Sequence, residues 1–516
     1  MLRSFNTSGP CHPARDYMLP AMARLPEVRG LIARGKYFVV HAPRQTGKTT
    51  ALLSLARELT EEGSHVAALV SLEIGSAMLA DIGGAELAIL GAWRRAAERR
   101  LPPELLPPPW PDAPSGSRIG AALQAWAKAA PRPLVVFLDE IDSLEGPLLV
   151  SVLRQIRDGF PDRPASFPWS LALVGMRDVR DYKIALDGRD GAIGGSPFNI
   201  KDRSLLLRDF TREEVALLYA QHTAETGQVF LGDAVDRAFA LANGQPWLTN
   251  ALAAVVVDEL VLDRTIPIGV EPMERAKEVL IQRQDTHLDS LAERLREPRI
   301  RGIVEPMIEG ASPGELSPDD IRFATDLGLM RRSATGGLEV ANPIYREIIV
   351  RELAASTRAS LPALTPTWLT PDGRLDPESL LDAFLDFWRR HGEPLLGTSL
   401  YQEIAPHIVL MAFLHRVVNG GGTIEREYAI GRGRMDLCVR YGQESLAIEL
   451  KVWRTGRPDP ASEGLLQLDG YLAGLGLPAG WLVIFDQRSG QPPIAERTRV
   501  EARTTPAGRA VTIVRA

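Results

Sequence analysis

Apolar runs alternate with amphipathic stretches over residues 1–208. KYFVVH (36–41) is a short apolar run that leads through APRQTGKTT into ALLSLARELTEEG, whose spacing predicts a helix. HVAALVSL (65–72), PLVVFLDEID (133–142) and WSLALVGMRD (169–178) are further runs of the same kind. Strands covered by helices on both faces read this way, so the region predicts a doubly wound parallel α/β domain. The proline-rich LPPELLPPPWPDAPSG (101–116) predicts a loop between helices. From residue 209 the pattern turns helical. FTREEVALLYAQHTAETG opens with Thr211 and carries Glu214 three residues on, a capping box, and ANGQPWLTNALAAVVVDEL follows. Residues 209–265 are thus a helical segment. Over 266–355 the pattern predicts helices, SPDDIRFATDLGL among them, and a short strand pair around Thr335-Gly336-Gly337, which suits a winged helix. STRASLPALTPTWLTPDGRL (356–375) is rich in Pro, Ser and Thr and reads as a linker.

The last segment, 376–516, begins with the helical SLLDAFLDFWRRHG. It continues as helix (399–418), strand (424–430), strand (434–441), strand (446–453), helix (462–474) and strand (481–486). RMDLCVRYGQESLAIELK (434–451) predicts a hairpin about Gly442-Gln443, where a glycine first suits a type II′ turn. Cross-strand partners then have numbers summing to 885, so that Asp436 faces Glu449 and Arg434 faces Lys451. Alternation puts Arg434, Asp436, Cys438, Ala447, Glu449 and Lys451 on one face. Met435, Leu437, Val439, Leu446, Ile448, Leu450 and Val452 form an apolar wall on the other. Two opposed carboxylates repel unless a positive charge intervenes. A divalent cation answers that need, and so does a surface ladder neutralised by Arg434 and Lys451. Gln467 and Tyr471 sit one turn apart on the following helix and face the same way.

At 516 residues the chain exceeds a single core. Its composition, 45% hydrophobic and 24% charged, is that of a globular protein. No stretch reaches the roughly 18 apolar residues of a membrane helix, and the start shows no secretory pattern; we expect a cytoplasmic protein with no membrane partner. The two cysteines, Cys11 and Cys438, suggest neither a disulfide framework nor a zinc motif. The net charge of −6, and a balance of +1 over 381–516 (16 Lys/Arg against 15 Asp/Glu), confine any nucleic-acid surface to a local patch. Arg432, Arg434, Lys451, Arg454 and Arg457 are the candidates.

Ala42-Pro43-Arg44-Gln45-Thr46-Gly47-Lys48-Thr49, followed by Thr50, fits the phosphate-loop pattern with alanine in place of the first glycine. Loop amides at a helix N-terminus would cradle the phosphates of ATP, Lys48 would reach the β- and γ-phosphates, and Thr49 would ligate Mg²⁺. Asp139 at the end of its apolar run would hold the metal or its water, and Glu140 would orient and deprotonate the attacking water. Arg177 would touch the γ-phosphate or form a surface ion pair. Gly244-Gln245-Pro246 would bring its helix near the nucleotide or simply link two helices.

APRQTGKTT, LVVFLDEID, LALVGMRD and ANGQPWL, with the winged-helix pattern, resemble the AAA-like P-loop ATPases of the kind called signal-transduction ATPases with numerous domains. This resemblance covers about 1–355 and implies a nucleotide-controlled switch, with 209–265 as its lid. The segment 376–516 resembles the PD-(D/E)xK nucleases of RecB type through Gly433-Arg434-Met435-Asp436, Glu449-Leu450-Lys451 and Gln467-Leu468-Asp469-Gly470-Tyr471. That resemblance implies that Asp436 and Glu449 bind metal (Mg²⁺, with Mn²⁺ able to substitute), Lys451 is catalytic, and Gln467 and Tyr471 support the site. Glu403, on the first helix, matches the family's further acidic ligand, and a solvated helical glutamate reads equally well there. Met435 stands where the family usually has proline. His407 reads as a helix-surface or core-edge histidine.

The expectation is an ATP-binding and ATP-hydrolysing switch that controls a metal-dependent nuclease acting on DNA, or RNA, with a defence role by analogy only. A homo-oligomer is implied by resemblance. The alternative is a nucleotide-dependent regulatory or DNA-binding ATPase whose nuclease-like domain only binds nucleic acid or protein. One P-loop without a second motor domain speaks against a processive motor.

Overall fold

The computed structural model describes residues 3–177, 200–283, 294–295, 297–308, 317–332, 338–349, 367–398, 405–418, 422–430 and 433–516. The chain forms two compact units, Met1–Arg283 with Arg322–Arg331, and Gln284–Ile321 with Arg332–Ala516.

In the first unit each apolar run is a strand: β1 (Tyr37–His41), β2 (Val66–Ser71), β3 (Leu134–Asp139), β4 (Ser170–Gly175) and, after them, β5 (Arg203–Leu206). They pair in parallel in the order β2-β3-β4-β1-β5. Alternation explains the continuous apolar runs. Phe38 and Val40 pack on one side with Leu31 of α1 (Glu27–Ala33) and Leu52 and Leu55 of α2 (Lys48–Glu61). Tyr37 and Val39 pack on the other with Trp93 of α3 (Ile82–Arg100), Trp126 of α4 (Arg118–Ala129) and Ile156 of α5 (Gly146–Gly159). Fully burying such a side chain contributes roughly 1.5–3 kcal/mol, so both faces must be covered for the sheet to stand. Strand β2 is an edge, and side chains close it. Thr60 Oγ1 accepts from Ala67 N–H, Arg100 Nη1 donates to Leu69 O, and Trp93 Nε1 donates to Ser71 O. With those groups taken, the edge is a poor template for another strand.

The helical segment holds α6 (Arg212–Thr226), α7 (Gly232–Ala242), α8 (Pro246–Val255) and α9 (Val270–Arg283). The capping box forms as read. Glu214 N–H donates to Thr211 Oγ1 at 3.2 Å, and Thr211 N–H donates to Glu214 Oε2 at 2.9 Å.

Further on come α10 (Pro298–Ile308), α11 (Pro318–Asp326) and the short strands β6 (Met330–Arg332) and β7 (Leu338–Val340). The turn expected at 335–337 lies outside the described residues, as do 356–366 of the expected linker. Residues 322–331 group with the first unit, so the region 266–355 is divided between the two.

In the second unit, α12 (Pro377–Thr398) and α13 (Ala405–Val418) precede β8 (Gly422–Ile430), β9 (Gly433–Tyr441), β10 (Glu444–Trp453), α14 (Ala461–Leu475), β11 (Ala479–Asp486), β12 (Arg499–Thr504) and β13 (Ala510–Arg515). The sheet order is β12-β13-β11-β10-β9-β8, parallel at β10–β11 and β11–β13 and antiparallel elsewhere. The hairpin register is the expected one: Tyr441 pairs with Glu444 and Leu437 with Ile448. Gly442 has φ +59° and Gln443 no positive φ, which is the type II′ pattern. Both faces of the sheet are covered. Helix α14 packs Leu468, Tyr471 and Leu472 against Cys438, Ala447 and Leu482. On the other side Trp388 of α12 meets Phe485 with centroids 5.2 Å apart, and His407, 2% exposed, meets the same ring edge-on at 5.6 Å. His407 is therefore a core residue. No described helix is long and apolar enough to cross a membrane.

Candidate functional sites

The loop from β1 to α2 is bent by two left-handed residues, Gln45 (φ +58°) and Gly47 (φ +88°). Ala42 is fully buried at its start and donates its N–H to Gly175 O at 3.2 Å, so no first glycine is required. Thr46 Oγ1 donates to Pro43 O at 2.9 Å and closes the loop on itself. Lys48 Nζ donates to Ala42 O and Pro43 O, each at 2.8 Å. Burial pushes the Lys48 ammonium below its usual range, against the pull of Glu140, Asp142 and Asp139. Unbonded amides at the start of α2 together with this ammonium form an anion site.

Across the loop, Thr49 Oγ1 donates to Asp139 Oδ2 at 2.8 Å. Asp139 is the last residue of β3 and 4% exposed. Burial raises its carboxyl, while the Thr49 hydroxyl and the Glu140 N–H, 3.0 Å from Oδ1, hold it down. Glu140 follows the strand in a left-handed conformation (φ +56°), which turns its side chain out of the strand's alternation. Burial, reinforced by Asp142 and Asp139, pushes its carboxyl up to about 7. A carboxyl poised there suits a general base. Hydroxyl and carboxylate oxygens meeting at Thr49 and Asp139 are the donor types Mg²⁺ prefers.

Arg44, Gln45, Gly47, Lys48, Thr49, Thr50 and Glu140 line a cleft of about 410 Å³. Pro246, Trp247 and Asn250 of α8 line it too, so the Gly244-Gln245-Pro246 turn does bring its helix to the loop. Arg177 stands with its guanidinium over the Phe323 ring, 5.1 Å from the centroid. Sequence reasoning missed three contributors: Arg24, Glu73, and the strap Asn6–Cys11 that crosses the cleft. Thr7 O accepts from Trp247 Nε1 at 2.8 Å, and Cys11 N–H donates to Thr50 Oγ1 at 3.1 Å. No local pattern marks Arg24 or the strap, whose partners lie farther along the chain. Met18, Leu19, Phe210 and Leu218 add apolar surface to the same cleft.

In the second unit Glu449 does not lie at the surface. Glu449 is 2% exposed, and its Oε1 pairs with Lys451 Nζ at 2.9 Å. Helix α14 covers the face of β10 that carries Ala447, the face Glu449 shares by alternation. Tyr471 is 3% exposed in that contact, and Gln467 reaches Glu463 Oε1 at 3.5 Å. A buried carboxylate is tolerated only with a cation and hydrogen bonds, and here Lys451, 19% exposed, supplies the charge at the rim. Asp436 is on β9 beside Leu437, but its side chain lies outside the described residues, as do Glu403 and Arg432. Among the described residues no three His, Cys, Asp or Glu side chains group to hold a metal. Arg454 and Arg457 are exposed. Arg488, which the sequence did not single out, stacks on Trp453 with its guanidinium carbon 3.6 Å from the ring centroid.

No family model and no curated protein matches the chain. Among solved structures it is similar to the Walker-type ATPase PABY2304 of Pyrococcus abyssi, at 13% identity and a TM-score of 0.47, over 67% of this chain and 99% of that one. It is similar to the RuvB Holliday junction branch migration motor of Thermotoga maritima, at 16% identity and 0.35, over 63% and 92%. Cdc6p of Pyrobaculum aerophilum follows at 14% identity and 0.37, over 68% and 98%. The parallel sheet, with its loop between β1 and α2 and its acidic end at β3, fits a P-loop NTPase fold.

Proposed function

We propose that the first unit binds ATP with Mg²⁺ and hydrolyses it as a switch, and that the C-terminal domain is a nuclease acting on DNA in preference to RNA. The observation that carries the first part is the meeting of Thr49 with Asp139 beside Lys48 and Glu140. Loop amides and Lys48 take the phosphates, and Lys48 exchanges two carbonyl partners for anionic oxygens. Thr49 and Asp139 would hold the metal, which when bound would neutralise phosphate charge. Glu140 accepts the proton of the attacking water. Equilibrium binding of ATP to the whole chain and to Lys48→Ala tests this. Equal affinity in the two would overturn it.

The nuclease reading rests on the buried Glu449–Lys451 pair under α14. Glu449, with Asp436, would hold the metal, and Lys451 would orient or activate water at the exposed rim. Incubation with plasmid, linear and single-stranded DNA and with RNA, in Mg²⁺ or Mn²⁺, with and without ATP, is the test. Cleavage that survives in both Asp436→Ala and Glu449→Gln sinks the assignment. Binding without cleavage leaves a regulatory ATPase with a nucleic-acid-binding domain.

A further inference from the structure

Arg24 belongs to no motif, yet it reaches the phosphate loop from outside. It is 7% exposed. Its Nη1 donates to two carbonyls, Thr46 O in the loop at 2.9 Å and Arg208 O after β5 at 3.0 Å. Its guanidinium lies over the Phe210 ring, 4.8 Å from the centroid. Phe210 is in turn joined to the turn before α8: its N–H donates to Gly244 O at 2.8 Å. Asp209 and Glu214 act on Arg24 only through space, and Nε has no hydrogen-bond partner among the described residues. A buried guanidinium is ordinarily matched by a carboxylate. This one is spent instead on the backbones of two separate segments, which its Nη1 group ties to each other while the planar guanidinium lies over Phe210.

The geometry also says what this guanidinium senses. The carbonyl of Thr46 and the N–H of Gly47 belong to one planar peptide unit. A phosphate bonded to that N–H and Arg24 bonded to that carbonyl act on opposite edges of the same plane. A tilt of the plane on filling the loop therefore reaches Arg24, and through it the Arg208–Phe210 joint from which α6 departs.

We propose that Arg24 is a positioning residue that couples occupancy of the phosphate loop to the placement of α6–α8. The proposal rests on the nucleotide reading above. Backbone hydrogen exchange on the full chain, with and without a non-hydrolysable ATP analogue and Mg²⁺, tests it. In the wild type, saturating analogue slows exchange at the start of α2 and in α8. In Arg24→Gln the α2 response persists at saturation and the α8 response is lost, with affinity reduced by on the order of tenfold, the usual size of such coupling. Arg24→Lys restores little, because an ammonium on a flexible stem does not keep a planar group stacked on Phe210. Full α8 protection in Arg24→Gln overturns the proposal. If that variant does not fold, Phe210→Leu carries the test: it removes the stack, and an unchanged α8 response there overturns the proposal equally. A wild type with no α2 response refutes the nucleotide reading itself, whereas α2 protection without α8 protection refutes the coupling alone.

Discussion

Thr49 donates its hydroxyl to Asp139 Oδ2 across 2.8 Å, so a residue in the first turn of α2 and the residue that ends β3 are bonded to each other directly. The bond satisfies a carboxylate that is 4% exposed. It also places together two oxygen donors of the types that would hold Mg²⁺ if it were bound there.

The two partners of that bond separate stability from chemistry. Thr49→Val leaves the Asp139 charge buried with one donor fewer, which costs about 1–3 kcal/mol of stability. Asp139→Asn removes the buried charge and is close to neutral for stability. Both lower Mg²⁺-dependent ATP turnover by roughly a hundredfold, a loss of ~3 kcal/mol from the transition state. Thermal unfolding without ligand and steady-state hydrolysis measure the two effects. A Thr49→Val protein with wild-type turnover would contradict the metal role.

Glu140 makes stability depend on pH. Its carboxyl sits at about 7 in the fold against an ordinary 4.5. Between those values the folded state binds more protons than the unfolded chain, so stability falls as pH rises through the window and levels off above it. Glu140→Gln removes the dependence. Allowing for its partial exposure, the variant should gain about 1–2 kcal/mol over wild type between pH 4.5 and 8, measured without nucleotide. A constant difference across that range would show that Glu140 does not titrate there.

The parts of this architecture legible in the sequence are those set by neighbours along the chain. The apolar run before the loop, the acids after β3 and the Thr211–Glu214 box each need only a few residues, and each forms. The hairpin is read the same way, because a two-residue turn fixes its register from Tyr441–Glu444 to Leu437–Ile448. Long-range closure is what the sequence hides. Thr7 and Trp247 are 240 residues apart and share a hydrogen bond over the cleft. Arg24 carries no pattern because its partners are main-chain carbonyls, which any residue supplies. The burial of Glu449 follows from α14 crossing its strand, which alternation alone does not reveal. Residues 322–331 fold with the first unit for a similar reason. A Cβ on Gly328 would come within 2.7 Å of Pro43 in the phosphate loop.

Gly244 is the tightest joint between the loop side and α8. It has φ +77°, and a Cβ there would stand 2.0 Å from Phe210 O, a backbone atom that cannot step aside. Gly244→Ala therefore requires the Phe210–Gly244 bond to open, at about 2–4 kcal/mol. Gly227→Ala, also at positive φ but with nothing within 4 Å, pays the conformational strain alone, about 1 kcal/mol. Comparing the two by denaturant unfolding isolates the steric part. Equal losses would mean the joint yields easily.

The Glu449–Lys451 pair gives the sharpest test of the second unit. Lys451→Ala leaves Glu449 buried, 2% exposed, without the cation at 2.9 Å. Breaking a buried pair from one side costs about 3–5 kcal/mol. Lys451→Ala should therefore unfold at a lower denaturant concentration than wild type. The double variant Glu449→Gln, Lys451→Met removes both charges and keeps the volume, so it should unfold within about 1 kcal/mol of wild type. Both variants should be unable to cut nucleic acid if the pair serves catalysis. The double variant makes that loss interpretable, because its fold is intact. A double variant that still cleaves DNA would assign the pair to structure alone.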